Sequence, residues 1–315
     1  IETDDCRILH TADRKIDTRP VIGSGWSPSQ WKAIGDKGYR AVALHMRGYG
    51  KTTVPEDIEA YSISNLVGDV VGSVAGLGES KAIIVGHDWG GPVAWYSALM
   101  RPDIFTAVAV LSVPFNPPFP LPNGVNLNDV MLQAAAGRQY YRLFFQDPGV
   151  AEADFEKDVR KSMLGVLYSF SGDIVRDGVH TAGWDGHFPR NETMSEQLIL
   201  PEKLPIWLTE EDLAFYVKEH SATGFSGGFN WYRNIKRLPS HLAPFIGKSL
   251  DQPALYLYGE HDLVAGNTQE AIDVMKTSLP DLRKCVKFDG AGHWLQQERA
   301  EEVNQELINF LQSVN

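Results

Sequence analysis

Short apolar runs alternate with helical patterns towards both ends of the chain. Five runs rich in apolar and β-branched residues predict strands, at residues 39–44, 81–85, 105–113, 253–258 and 285–288. Residues 63–76 repeat apolar side chains at helical spacing, and residues 91–100 and 297–313 predict two further helices. This alternation is typical of an α/β fold with a mainly parallel sheet and helices on both of its faces.

The alternation stops after residue 113. Residues 114–120 contain four prolines, which neither a helix interior nor the middle of a sheet tolerates. From about residue 126 to residue 239 the patterns are helical, with no convincing strand among them, and strand character returns only at residue 253. We therefore predict one α/β core domain, formed by residues 1–113 and 253–315. A helical cap at residues 114–252, including its linkers, is inserted into this core.

Composition and charge narrow the classes of function. Hydrophobic residues make up 43% of the chain and charged residues 22%, as in folded globular domains. The formal net charge of −11 argues against nucleic acid as a partner, because binding phosphates requires clustered Lys and Arg. The chain has only two cysteines, Cys6 and Cys285, which are too few for a disulfide framework or a zinc site. A small neutral or cationic substrate fits this net charge better than a polyanion does.

No apolar run reaches the roughly 18 to 20 residues that a membrane-spanning helix needs. The first residues also lack the character of a signal peptide, so we expect no membrane insertion and a cytoplasmic enzyme. The sequence begins without Met, which leaves a signal upstream open. A monomer and a homodimer are both compatible with the sequence.

The apolar strand pattern at residues 82–85 runs directly into Gly-His-Asp-Trp-Gly at residues 86–90, and a predicted helix follows. Small residues two before and two after the centre permit the strained turn called a nucleophile elbow. Asp88 occupies the centre, and a carboxyl with a reference pKa of about 3.9 needs no base to ionise it. We predict that Asp88 attacks an electrophilic carbon. The alternative is a glycine-rich turn whose aspartate caps the next helix.

Carboxylate attack leaves an ester that water must cleave, so a base oriented by an acid is expected further along the chain. Asp262 follows the predicted strand at residues 253–258 and is placed to be the acid. His293 follows the next strand and is placed to be the base. The order nucleophile, acid, histidine is the order of α/β-hydrolases. Glu260 and Asp289 are alternatives for the acid, and each of these residues could instead be structural.

These residues resemble those of the α/β-hydrolase-fold epoxide hydrolases of the soluble type, over most of the chain. In that family the nucleophilic Asp lies in Gly-His-Asp-Trp-Gly, and two cap tyrosines point at the epoxide oxygen. Residues 141–149 resemble the first tyrosine segment, and residues 229–234 resemble the second. The resemblance implies that Tyr141 and Tyr232 assist the departing oxygen, since a neutral phenol can donate a hydrogen bond or a proton.

The resemblance also implies a mechanism in which an epoxide and water give a vicinal diol without metal or organic cofactor. Asp88 forms a hydroxyalkyl ester, and water activated by His293 then cleaves it. The backbone N–H of Trp89 is expected to stabilise the oxyanion. The second oxyanion N–H is assigned to Ser24, although the His and Pro that flank this position in the family are absent here. We expect three tryptophans to bind the substrate, namely Trp89, Trp231 and Trp294.

Two other functions compete with this interpretation. A haloalkane dehalogenase uses the same Asp, acid and His and binds halide through tryptophan N–H groups, a role that Trp89 would fit. That family commonly has Asn at the position of Ser24, however, and the paired tyrosines would be unexplained. A ligand-binding protein on a hydrolase scaffold would have no need to keep a nucleophile, an acid and a base together.

Overall fold

The computed structural model describes residues 8–11, 39–122, 125–265 and 269–314. Six strands in these ranges belong to one sheet, namely β1 (Ile8–Thr11), β2 (Ala41–Ala43), β3 (Ala82–His87), β4 (Phe105–Leu111), β7 (Ala254–Gly259) and β8 (Leu282–Phe288). Their order in the sheet is β2-β1-β3-β4-β7-β8, and every neighbouring pair is parallel. The predicted α/β fold with a parallel sheet is confirmed.

Helices cover both faces of the sheet. Ile84 of β3 packs with helices α1 (Ile63–Gly76) and α2 (Gly90–Met100). The preceding residue, Ile83, points to the other face and packs with helix α14 (Ala300–Ser313). All six residues of β3 are buried, which explains why this strand has a continuous apolar sequence instead of an alternating one.

Between β4 and β7 the chain is mainly helical. The helices are α3 (Leu127–Ala134), α4 (Tyr141–Phe144), α5 (Val150–Phe155), α6 (Val159–Ser169), α7 (Asp173–Arg176), α8 (Met194–Gln197), α9 (Glu210–Thr223), α10 (Ser226–Arg233) and α11 (Leu238–Leu242). Short 3-10 helices follow α10 and α11 at Ile235–Arg237 and Ala243–Phe245. We propose that this region is the cap, and the predicted boundaries at residues 114 and 252 stay a prediction.

Two predictions for this region are wrong. Strands β5 (Gln139–Tyr140) and β6 (His187–Phe188) form an antiparallel pair where we predicted no strand. The sequence also predicts one helix over residues 130–145 within this region, but the helix is interrupted because Ala136 and Gly137 adopt φ angles of 48° and 89°. Pairing over two residues is too short to show a periodicity in the sequence.

Helices α12 (Gln269–Ser278) and α13 (Leu295–Glu298) lie next to β7 and β8 in the sequence, and a 3-10 helix at Ile58–Tyr61 precedes α1. The helical region between β4 and β7 has its own buried cluster, in which Phe145 and Phe229 stack with ring centroids 4.3 Å apart. No helix in the described part of the chain is both long and apolar enough to cross a membrane.

Candidate active site

The turn after β3 has the geometry of a nucleophile elbow. Asp88 adopts a φ angle of 51°, in the left-handed region that non-glycine residues rarely enter. A Cβ atom on Gly86 would lie 2.0 Å from the carbonyl oxygen of Gly90, so the turn excludes any larger residue at position 86. The strained backbone at Asp88 is retained because β3 and α2 are both fixed in the core. The turn raises the Asp88 carboxylate above the carboxyl end of β3.

Three predicted site residues meet at the carboxyl ends of β3, β7 and β8. The Nε2 atom of His293 lies 3.3 Å from Oδ2 of Asp88, and its Nδ1 atom lies 3.1 Å from Oδ1 of Asp262. Asp262 and His293 are 1% and 2% exposed, so the contact between these two residues is shielded from water. The structure thus brings together the nucleophile, the base and the acid that the sequence predicts.

The two alternative acids lie elsewhere. Glu260 accepts a hydrogen bond from the backbone N–H of Gly290 at 2.9 Å and pairs with Lys287 at 3.2 Å. Asp289 is exposed and pairs with the same lysine at 3.0 Å. Of the three candidates for the acid, Asp262 is therefore the one that contacts His293.

The three groups stabilise each other's charges. Burial alone would lower the pKa of His293, but the carboxylates of Asp262 and Asp88 raise it to about 10. Burial would likewise raise the pKa of Asp88, but the hydrogen bond and charge of His293 lower it to about 2. Burial opposes the charge of Asp262 too, and His293 again outweighs it and lowers the pKa. At neutral pH the free site therefore holds an imidazolium between two carboxylates.

Ser112 is a neighbour of His293 that the sequence did not reveal. It follows β4 with a φ angle of 77°, and its Oγ atom lies 3.0 Å from Nδ1 of His293. Its hydroxyl also hydrogen-bonds Asp262 and contributes to the lowered pKa of that carboxyl. Ser112 thus hydrogen-bonds both Asp262 and His293 and restrains their side chains. The position after β4, the strand between β3 and β7 in the sheet, was the available signal.

His87, inside the elbow motif, contacts the backbone of His293. Its Nε2 atom lies 2.8 Å from the carbonyl oxygen of His293, and the side-chain nitrogen of Gln296 lies 3.2 Å from Nδ1. Burial, reinforced by the charge of His293, lowers the pKa of His87 to about 3. A neutral His87 that donates from Nε2 and accepts at Nδ1 satisfies both contacts.

The loop that carries His293 is also attached to the helical region. The N–H of His293 donates to the carbonyl oxygen of Phe170 at 2.8 Å. The carboxylate of Glu298 accepts hydrogen bonds from the N–H groups of Gly172 and Gly292, both at 2.9 Å. Burial raises the pKa of Glu298 to about 7 although these bonds favour its ionised form. The position of the base is therefore coupled to residues 170–172.

The two predicted tyrosines face the nucleophile from the helical region. Tyr141 begins α4 and Tyr232 lies near the end of α10, and their ring centroids are 5.9 Å apart. Burial raises the pKa values of both phenols above their ordinary range, and the nearby charge of Asp88 adds to this effect. Both hydroxyls consequently keep their protons at neutral pH and are available as donors.

The residues beside the tyrosines in their motifs hold the two segments together. The side-chain amide of Gln146 donates to the carbonyl oxygen of Tyr232 at 3.0 Å. The guanidinium of Arg233 donates to the carbonyl oxygen of Phe145 at 2.9 Å and forms a buried ion pair with Glu152 at 2.8 Å. These contacts hold the start of α4 against the end of α10, and the two phenols therefore lie side by side.

Two cavities meet at this site. The larger is about 300 Å³ and the smaller about 110 Å³, and Asp88, Tyr141 and Tyr232 line both of them. Trp89 lies on the wall of the larger cavity and Trp294 on the wall of the smaller one. A molecule whose reacting carbon contacts Asp88 can therefore extend in two directions.

The prediction that Trp231 binds the substrate is not supported by its position. Trp231 is 1% exposed, donates from Nε1 to the carbonyl oxygen of Arg47 at 3.1 Å, and lies behind Trp89 with ring centroids 5.9 Å apart. An apolar residue next to a motif tyrosine on a helix faces away from it, here into the core. The backbone N–H of Trp89 does hydrogen-bond the Asp88 carboxylate. Ser24, the other predicted oxyanion residue, lies outside the described residues.

Comparison with known proteins gives consistent matches. Residues 22–300 match the family described as the α/β-hydrolase fold. Epoxide hydrolase A of Mycobacterium tuberculosis (strain ATCC 25618 / H37Rv) is 36% identical, over 93% of this chain and 87% of its own length. An epoxide hydrolase from an endophytic Streptomyces superposes with a TM-score of 0.86 at 34% identity, over 98% of this chain and 89% of that one. Epoxide Hydrolase A from Mycobacterium thermoresistibile superposes with a TM-score of 0.81 at 36% identity, over 99% and 92%.

Proposed function

The chain belongs to the α/β-hydrolase fold family and, within it, to the epoxide hydrolases, and from this premise we propose that it converts epoxides to vicinal diols through an ester of Asp88. One observation carries the proposal. The elbow presents a carboxylate, in contact with His293, below two buried phenols that retain their protons. A carboxylate can attack carbon directly, and the phenols can receive the negative charge of an opening epoxide.

In the first half-reaction an oxygen of Asp88 forms a bond to one epoxide carbon. The carbon–oxygen bond of the ring breaks, its electron pair goes to the epoxide oxygen, and that oxygen takes a phenolic proton. The products are a hydroxyalkyl ester and a phenolate. Asp88 is ionised with a pKa of about 2, so this step needs no base.

Formation of the ester changes His293 from an acid to a base. The pKa of His293 is about 10 because two carboxylates outweigh the effect of burial, and esterification removes the charge of Asp88. The pKa of His293 then falls, and the imidazolium donates its own proton to the phenolate. Neutral His293, oriented by Asp262, now takes a proton from the water that attacks the ester carbonyl.

In the collapse of the tetrahedral intermediate the carbon–oxygen bond to the substrate breaks, and the leaving alkoxide takes the proton of the added hydroxyl. This releases the diol and leaves the Asp88 carboxylate beside the imidazolium. The hydrogen bond from the backbone N–H of Trp89 to the Asp88 carboxylate supports the assignment of this N–H as a donor to the oxyanion. We assign the second N–H to Ser24 on the sequence alone. A cytoplasmic location, and a monomeric or homodimeric state, likewise stay predictions from the sequence.

The competing function is removal of halide from a haloalkane by the same Asp88. The two buried phenols favour an epoxide, because they can protonate an oxygen that stays attached to the product, whereas a departing halide needs no proton. The test is to incubate the protein separately with styrene oxide and with a bromoalkane. We expect the diol and no bromide. Bromide release without turnover of styrene oxide would contradict the proposal, and Asp88→Ala serves as the control that either activity uses this site.

A further inference from the structure

Arg142, which follows the first tyrosine, has a position that the mechanism above does not use. Its Nε atom donates a hydrogen bond to the hydroxyl oxygen of Tyr141 at 2.9 Å. Its guanidinium carbon lies 5.5 Å from the ring centroid of Tyr141 and 5.8 Å from that of Tyr140. The side chain also lines the larger cavity beside Asp88 and Tyr232. Two aromatic rings and one hydrogen bond thus hold a cation at the reacting centre.

This cation has no carboxylate partner within ion-pair distance in the described ranges of the chain. Burial alone would lower the pKa of Arg142, but the neighbouring tyrosines, led by Tyr141, raise it above its ordinary value. The guanidinium therefore stays charged in a mainly apolar cavity. A buried cation without a carboxylate partner is costly, so its retention needs a reason that the resting structure does not supply.

The hydrogen bond fixes which way the Tyr141 proton points. A guanidinium has donors and no acceptor, so the Tyr141 hydroxyl must accept from Arg142 and cannot donate to it. The phenolic proton is then directed to another acceptor, and in the proposed reaction the epoxide oxygen in the adjacent cavity is that acceptor. The Tyr232 hydroxyl accepts no hydrogen bond from a cation among the residues that the structure describes.

The charges of the site point the same way, on the premise of the proposed reaction. Before attack, the carboxylates of Asp88 and Asp262 balance the cations of His293 and Arg142. After attack, Asp88 is a neutral ester, and the negative charge has moved with the electron pair of the broken bond to the side of the tyrosines. Asp262 and His293 still balance each other. Arg142 is then the cation, among the described residues, that lies beside the new anion.

We propose that Arg142 is a positioning residue that orients the Tyr141 hydroxyl and balances the phenolate formed there, which makes Tyr141 the proton donor and leaves Tyr232 as a hydrogen-bond donor only. The proposal rests on the proposed function and assigns different roles to the two tyrosines. A partly desolvated donor aimed at developing charge contributes about 10²-fold to a rate. The effect of Arg142 should therefore depend on Tyr141 and be independent of Tyr232.

The test is a set of double-mutant cycles read by the rate of ester formation with styrene oxide. Trp89 and Trp294 border the two cavities, so tryptophan fluorescence in a stopped-flow instrument can follow this step. Arg142→Met should slow ester formation about 10²-fold in the parent protein and in Tyr232→Phe. In Tyr141→Phe, the same substitution should change the rate by less than about 3-fold. Cleavage of the ester should change much less than its formation.

Arg142→Lys serves if the methionine variant does not fold, because a lysine keeps a cation and a donor. It should lose less than Arg142→Met in the parent protein and have no effect in Tyr141→Phe. Arg138→Met is the matched control, since Arg138 lies on the surface and pairs with Asp185 at 2.8 Å.

Equal losses in all three backgrounds would overturn the proposal and make Arg142 a packing residue. A loss that disappears in Tyr232→Phe and persists in Tyr141→Phe would reverse the two roles and also overturn it. Failure of the parent protein to form any ester on Asp88 would instead refute the proposed function itself. The two failures are therefore distinguishable.

Discussion

His293 and Asp88 are in direct contact, with Nε2 of the imidazole 3.3 Å from Oδ2 of the carboxylate. In the proposed mechanism, the carboxylate of Asp88 helps to keep His293 protonated, and His293 becomes a base only after Asp88 has formed the ester. This order follows from the pKa of about 10 that the two carboxylates confer on His293 against the effect of burial. Formation of the ester therefore lowers the pKa of His293 and produces the neutral imidazole that cleavage of the ester needs.

Asp262→Asn should slow cleavage of the ester far more than its formation. The amide cannot hold an imidazolium charge, so neutral His293 becomes a weaker and less well-oriented base, whereas Asp88 attacks without a base. In a serine hydrolase the equivalent change costs about 10⁴-fold in rate, and we expect a loss of about 10² to 10⁴-fold here. Single-turnover kinetics with styrene oxide should show fast ester formation followed by slow diol release.

Glu260→Gln is the matched control, because Glu260 lies two residues from Asp262 and contacts Gly290 and Lys287 instead of the base. We expect ester cleavage within about 3-fold of the parent rate. A loss comparable to that of Asp262→Asn would mean that Glu260 orients His293 in solution.

Stability should fall with pH on the alkaline side. The folded-state pKa of His293 is about 10, and its ordinary value is 6.5, so the folded protein binds the extra proton between these values. The stabilisation is complete below pH 6.5 and is lost as the pH rises through about 10. One proton corresponds to a slope of about 1.4 kcal/mol per pH unit in the free energy of unfolding.

Chemical denaturation of the parent protein and of His293→Gln across this interval measures the slope. The glutamine variant should show a shallower decline, since it has no imidazole to titrate. Equal slopes of the free energy of unfolding in the two proteins would show that the two carboxylates do not keep His293 protonated.

Gly86→Ala should disrupt the elbow. A Cβ atom at this position would lie 2.0 Å from the carbonyl oxygen of Gly90, and neither backbone segment can move without displacing β3 or α2. We expect a loss of at least about 3 kcal/mol in the free energy of unfolding and a greatly reduced rate of ester formation. Thermal denaturation and the styrene oxide assay are the measurements.

Gly68→Ala provides the comparison, because Gly68 lies inside α1 and a Cβ atom added there would meet no neighbouring atom within 4 Å. A glycine in a helix interior costs about 0.5–1 kcal/mol relative to alanine, so this variant should be slightly more stable than the parent. Similar destabilisation of both variants would count against the close approach at the elbow.

Trp231→Phe should weaken the fold and leave substrate binding unchanged. The substitution removes the hydrogen bond to the carbonyl oxygen of Arg47 and part of a buried ring, for a loss of about 2–3 kcal/mol in the free energy of unfolding. KM for styrene oxide should stay within about 2-fold of the parent value, whereas Trp294→Phe alters a cavity wall and should change it more. A large change of KM in Trp231→Phe alone would place that ring in the substrate site.

The central strands could be predicted from the sequence better than the edges of the sheet. The apolar run of β3 is buried on both faces and could be recognised directly. Strand β8 begins at Leu282, three residues before the predicted start, because Arg283 and Lys284 are exposed and give this edge strand a polar beginning. Strand β1 covers only Ile8–Thr11, which is too short for a reliable pattern.

The residues of the site also differ in how well the sequence could predict them. Asp88, Asp262 and His293 could be predicted because a local motif and the order of strand ends place them. Ser112 was indicated only by its position after β4, since its contact with His293 joins residues 181 positions apart and depends on the register of β4 and β7. The place of Trp231 next to Tyr232 on a predicted helix is compatible with a ring that faces the core, but nothing in the sequence indicated that Arg142 contacts the Tyr141 hydroxyl.

Mass spectrometry of His293→Gln after incubation with styrene oxide tests the central claim most directly. With the nucleophile intact and the base removed, the variant should gain the mass of one epoxide, and fragmentation should place the adduct on Asp88. Asp88→Ala should gain nothing under the same conditions. Absence of an adduct in His293→Gln, or an adduct on any residue other than Asp88, would contradict the mechanism.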